Sequence, residues 1–156
     1  MSIFRREKLA PAQLRTVAAR RFDDANYLRR SGENRYANGA IYLAGFAVEC
    51  LLKARLLEKY PQLQTARDPA RLPPSLRPLW SLAFRHHDLD ELLAYLPEIE
   101  KNMEKRLAAP QSQRLVRSLR KTCGDWSVHA RYSPRTIPMA AAEEFLDRVR
   151  ELRVWL

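Results

Sequence analysis

YANGAIYLAGFAVECLLKARLLEK, residues 36–59, decides the fold. At 100° per residue, Ile41, Ala44, Val48, Leu51 and Leu52 share one face, while Phe46, Cys50 and Leu57 extend apolar surface most of the way round. A helix apolar on nearly every side must be wrapped by other elements. Pro61 ends it, because the residue before a proline is pushed out of the helical region.

Outward from this rod, the rest of the chain also reads as helix. Residues 11–30 repeat Leu14, Val17, Ala18, Phe22, Ala25 and Leu28 at helical spacing, opened by Pro11 and closed by Ser31-Gly32. Residues 88–95 and 98–107 form two shorter helices, with Leu89, Leu92, Leu93 and Leu96, then Ile99, Met103 and Leu107, facing inward. In residues 111–123 Leu115, Val116, Leu119 and Cys123 oppose Arg114, Arg117, Arg120 and Lys121, with Gly124 as the expected stop. A last helix begins near Pro138 and carries Phe145, Leu146, Val149, Leu152, Trp155 and Leu156 as its stripe. Between residues 61 and 85, Pro61, Pro69, Pro73, Pro74 and Pro78 exclude a long helix, and the segment is expected to be an irregular connection with a short turn near 79–84. No segment alternates with period two. The expected architecture is a single all-α domain spanning residues 1–156, a four-to-five-helix up-and-down bundle with a long proline-rich loop after its second helix.

Composition excludes several function classes. The 156 residues include only 4 Gly and 2 Cys, too few for a glycine-rich phosphate loop, a disulfide scaffold or a four-cysteine zinc site. No run approaches a membrane span of about 18 apolar residues, and residues 1–8 lack the apolar core of a signal peptide. A cytoplasmic protein without cofactor or metal is expected. Net charge is +10, and the surplus is uneven. Residues 1–35 hold nine Arg or Lys against four acids, and residues 105–135 hold eight against one, whereas 61–104 are net acidic. Such clusters are either a solvated surface or the footprint of an anionic partner.

Three motifs stand in fixed order. They are Asn38-Gly39-Ala40-Ile41-Tyr42-Leu43-Ala44-Gly45-Phe46-Ala47-Val48-Glu49-Cys50-Leu51-Leu52-Lys53-Ala54, His87-Asp88-Leu89-Asp90-Glu91-Leu92-Leu93, and Trp126 followed by Arg131-Tyr132-Ser133-Pro134. In this order they resemble HEPN domains, small prokaryotic helical bundles found with minimal nucleotidyltransferases. The resemblance covers most of the chain. It implies a homodimer in a toxin–antitoxin or defence module, with RNA or nucleotide binding and a nucleotidyltransferase partner. Active members are metal-independent ribonucleases whose signature is Arg, four to six residues, then His. None of His86, His87 or His129 has an Arg at that spacing upstream.

Individual residues then divide. Glu49 and Lys53, four apart with Tyr42 on the same arc, form either an ion pair that fixes helix packing or the dimer seam or, with Tyr42 and His87, the polar floor of a cleft. His86, His87 and Asp88 are adjacent and cannot easily converge on one ion, so Asp88 or His87 is expected to cap the next helix. Trp126, His129, Arg131 and Tyr132 form either a loop pinned by tryptophan or a binding surface, with Arg for phosphate, Tyr for stacking and His for proton transfer. Arg114, Arg117, Arg120 and Lys121 would track phosphates beside it. Cys50 and Cys123 read as inert core thiols. Three functions follow. One is a HEPN-like accessory protein without the usual ribonuclease motif. Another is a metal-independent endoribonuclease with a displaced site around His129, Arg131 and Tyr132. The last is a plain basic nucleic-acid-binding module.

Overall fold

The computed structural model describes Lys8 and residues 10–156; the reading of the first residues as lacking a signal peptide, and the charges of Arg5, Arg6 and Glu7, lie outside them. Among the described residues the fold is all helical, without a strand. The long elements are α1 (Pro11–Arg30) and α2 (Ala37–Lys59). The short pieces α3 (Gln62–Thr65) and α4 (Arg77–Phe84) come next, then α5 (Leu89–Ala94) and α6 (Pro97–Arg106). The chain closes with α7 (Ala109–Asp125) and α8 (Met139–Leu152). No described helix is long and apolar enough to cross a membrane.

The wrapped rod is α2. From Ala47 to Ala54 every residue is buried, including Glu49 and Lys53. Helices α1, α8 and α5 and the 3-10 turn Val128–Tyr132 all pack against it. Helix α1 runs antiparallel to it: Arg15 near its start pairs with Glu58 near the end of α2, and Leu28 near its end touches Gly39. Small residues let the two axes approach: Ala18 and Ala25 of α1 and Ala37, Ala40, Ala44 and Ala47 of α2 are all buried in one apolar cluster. Gly32, at φ +68°, ends α1 in the left-handed conformation that glycine adopts without strain, and its N–H donates to Arg29 O at 3.1 Å.

Two asparagines of the α1–α2 junction fix where α8 begins. Asn34 Oδ1 accepts from Met139 N–H at 2.7 Å, and Asn38 Oδ1 accepts from Ile137 N–H at 3.2 Å. Asn38 Nδ2 donates to Arg135 O at 2.6 Å. Backbone N–H groups at and just before the start of α8, which no carbonyl of that helix meets, thereby gain partners. Helix α8 then runs beside α2, and Arg55 of α2 donates to Leu156 O at 2.7 Å.

Two local expectations change. Gly124 does not stop its helix: α7 continues to Asp125 and ends at Trp126, whose extended backbone turns the indole into the core. The segment 61–85 is not irregular. It is a chain of short helical pieces, α3, the 3-10 turns Pro69–Arg71 and Pro74–Leu76, and α4. Pro69, Pro74 and Pro78 occupy first-turn positions, where the missing N–H costs no bond, and Pro61 and Pro73 are N-cap residues. Leu63, Leu72, Leu79, Trp80 and Leu82 anchor these pieces to the core. Asp88 caps α5 as expected, its carboxylate accepting from Glu91 N–H at 2.8 Å.

Candidate functional site

One stripe of α2 runs from half-buried Tyr42 and Phe46 to buried Glu49 and Lys53. Its spacing of three and four residues puts successive side chains above one another. At the Lys53 end the stripe forms the floor of a cleft of about 220 Å³ between α1 and α4. Leu14 and Val17 line one side, Ala83 and Phe84 the other, and Phe46 and Cys50 complete the apolar lining.

The polar end of this cleft is closely bonded. Glu49 is 1% exposed and Lys53 7%. Lys53 Nζ lies 2.6 Å from Glu49 Oε1 and donates to His86 O at 2.8 Å. His87 Nδ1 lies 2.9 Å from Glu49 Oε1 and 3.1 Å from Oε2. The buried carboxylate thus holds an ammonium and an imidazole at once, while half of the His87 side chain stays in solvent. A buried charge without such partners would be strongly destabilising. The pair that the sequence left as packing lock or cleft floor occupies both positions. Beside it, burial pushes the Cys50 thiol up to about 12, and the Glu49 charge adds to the effect. Cys123 is also pushed up to about 12, first by burial and then by Asp90, Asp88 and Glu100. Neither thiol is a nucleophile at neutral pH.

Tyr42 was grouped with this polar cleft by sequence, but it sits further along the stripe in a different cluster. Its ring lies parallel to Phe46, with centroids 6.3 Å apart, and stacks on Trp126 at the same distance. Arg131 Nη1 donates to the Tyr42 hydroxyl at 3.2 Å, and its Nη2 bonds the Tyr132 hydroxyl. The guanidinium carbon stands 5.5 Å from the Tyr42 ring centroid and 4.5 Å from that of Tyr132, within cation–π range. The phenol hydrogen bonds, led by that of Tyr132, raise the Arg131 pKa further. Tyr132 is 68% exposed, so the cluster presents a ring and a cation to solvent.

Gly45 and Trp126 make this placement possible. A Cβ at Gly45 would lie 1.9 Å from the indole, so only glycine leaves room for it. The indole N–H donates to Tyr42 O at 3.2 Å, tying the 126–132 loop to α2. His129, which the sequence placed with Arg131 and Tyr132, is exposed, and its ring makes no hydrogen bond among the described residues. The structure joins Arg131, Tyr132 and Tyr42, and separately His87, Glu49 and Lys53.

The cations of α7 do not form one free arc. Arg114 forms a two-pronged pair with Glu151 of α8, and Arg120 forms one with Glu100 of α6, at 2.8 and 2.6 Å. Lys121 reaches Asp125 at 3.1 Å. Arg117 has no ion-pair partner among the described residues. The hydrogen bond with Arg114 holds the Glu151 carboxyl below its ordinary pKa. Among the described residues no group of three His, Cys, Asp or Glu side chains is placed to hold a metal ion. No protein-family model, curated protein or solved structure matches this chain.

Proposed function

We propose that this chain is a HEPN-like up-and-down helical bundle that acts as a homodimer in a toxin–antitoxin or defence module. In this reading it binds single-stranded RNA and docks a nucleotidyltransferase-type partner. The observation that carries the RNA-binding part is the exposed Arg131–Tyr132–Tyr42 cluster. A guanidinium suits a phosphate, and the phenol ring beside it suits an unpaired base. The net charge of +10 would steer such a strand from a distance. Arg117 is the α7 cation available for a further phosphate, whereas Arg114, Arg120 and Lys121 would have to leave carboxylates first.

Fluorescence anisotropy with a labelled single-stranded RNA tests this reading. Affinity should fall steeply between 50 and 200 mM salt, with a log–log slope of about −0.7 per phosphate contacted. Arg131→Ala and Tyr132→Ala should each weaken binding without changing helix content. Absence of binding at 50 mM salt, or binding indifferent to both substitutions, removes it. Sedimentation equilibrium tests the dimer, and a monomer at tens of micromolar would remove that element. Copurification with a coexpressed nucleotidyltransferase from the same operon tests the partner; no such operon neighbour, or no association with it, would remove that one.

A further inference from the structure

Outside its Glu49–Lys53–His87 end, the cleft between α1 and α4 is lined by apolar side chains and by the Cys50 thiol, which stays protonated at neutral pH. We infer that it binds a small neutral aromatic ring carrying one hydroxyl, a phenol, whose O–H donates to His87 Nε2. At about 220 Å³ the space exceeds the roughly 150 Å³ of an apolar cavity that holds benzene, and falls below the roughly 300–1,000 Å³ of sites for drug-sized ligands. It suits one substituted ring.

The polar groups of the cleft decide which ligand it accepts. Both Glu49 oxygens are already met, Oε1 by Lys53 and His87 and Oε2 by His87. Lys53 Nζ is held by Glu49 and by His86 O. Both side chains are buried, so neither is offered to a ligand. His87 differs. It lines the cleft, and half of its side chain is exposed. Its Nδ1 faces the carboxylate. An ionised carboxylate only accepts hydrogen bonds, so Nδ1 carries the proton and the neutral ring keeps its lone pair on Nε2. That nitrogen has no hydrogen-bond partner among the described residues. Glu49 thus fixes the tautomer and aim of a ring that presents one acceptor at the rim of an apolar space.

A single acceptor beside a buried negative charge excludes other ligand classes. An anion would stand next to Glu49 with Lys53 already committed. A cation would find both carboxylate oxygens engaged. An apolar molecule without a donor would cover Nε2 and leave it unpaired. A phenol meets Nε2 with its O–H, while Val17, Phe46 and Phe84 supply contact for its ring. Free phenols and the tyrosine side chain of a peptide offer the same group, so both sources are tested. The cleft is separate from the Arg131–Tyr132–Tyr42 cluster, so loss of the RNA-binding role would leave this site standing.

The experiment titrates the full chain at about pH 8, where an ordinary imidazole is neutral, with phenol, anisole and benzoate. Calorimetry and nitrogen-15 spectra of the histidine rings follow the binding. Phenol should bind. Anisole, which has the ring but no donor, should bind about fivefold more weakly, the worth of one net hydrogen bond. Benzoate should not bind detectably. The His87 Nε2 resonance should move with phenol, while those of the exposed His129 stay in place. Val17→Trp, which fills the cleft from α1, should abolish phenol binding. His87→Leu, checked for folding by its melting curve, should bring phenol and anisole to the same affinity. N-acetyltyrosinamide binding more tightly than phenol identifies a peptide tyrosine as the source; equal or weaker binding identifies a free phenol. No phenol binding, equal binding of phenol and anisole by the parent chain, an unmoved His87 Nε2 resonance, or indifference to Val17→Trp overturns the inference.

Discussion

The polar end of the cleft and the cationic flanks of α7 use the same residue types in opposite settings. Glu49 and Lys53 are buried, and each has two partners within 3.1 Å. Arg114, Arg120 and Lys121 are exposed and held by carboxylates of α8, α6 and α7 itself. Buried charges must be matched or the fold fails, whereas exposed pairs in water contribute little to stability. A run of cations in sequence therefore measures neither free positive surface nor stability. What decides both is which acids the fold brings alongside.

The largest effect that would break this comparison is at the buried pair. Glu49→Ala or Lys53→Ala alone should destabilise the fold by about 3–5 kcal/mol, since each leaves a charge buried and unmatched. Replacing both, with Leu and Met, should restore most of that loss in chemical denaturation. If the single variants melt like the parent, the pair is not buried in solution. Gly45→Ala comes next. Its new methyl would meet the indole of Trp126, at a cost of about 1–3 kcal/mol if neighbours shift, read as a lower unfolding midpoint. The same variant should weaken RNA binding by displacing the 126–132 loop.

The two thiols give a pH signature. Both ordinary values are 9.0 and both folded values are about 12, so the unfolded chain loses these protons first as pH rises. Stability from this source should be flat below pH 9 and decline between about 9 and 12. Cys50→Ala and Cys123→Ala together should flatten that decline. Modification of the folded protein by iodoacetamide at pH 8 would contradict the assignment of both thiols to the interior. The smallest effect is on the α7 flank. Glu151→Gln should leave the melting midpoint nearly unchanged yet raise RNA affinity slightly, because it releases Arg114. No change in affinity would mean that this flank lies away from the strand.

Much of this was legible in the residues. The continuous apolar register of α2 required burial on all sides, and the stripes of α1, α7 and α8 located their inner faces. Glu49, Lys53 and His87 were readable as a possible cleft floor because two charges amid apolar neighbours need a partner. Other features depend on long-range contacts. Gly124 carries a stop signal locally, but Trp126 finds its pocket at Gly45 and the helix continues until the indole must turn in. Tyr42 shares an arc with Glu49, yet Phe46 stands between them and Arg131 holds its hydroxyl. The carboxylates that hold α7 come mainly from α6 and α8, which no periodicity within α7 reveals. The short helices at 61–85 were hidden because proline forbids a long helix but favours the first turn of a brief one.

The most direct test is the affinity of a labelled single-stranded RNA for the full chain and for Arg131→Ala, measured at 50 and 200 mM salt. The account predicts clear binding at the lower salt, a steep loss at the higher, and a weaker complex with a shallower salt slope for Arg131→Ala. Equal affinity of the two chains at both salts, or no complex at all, would contradict it.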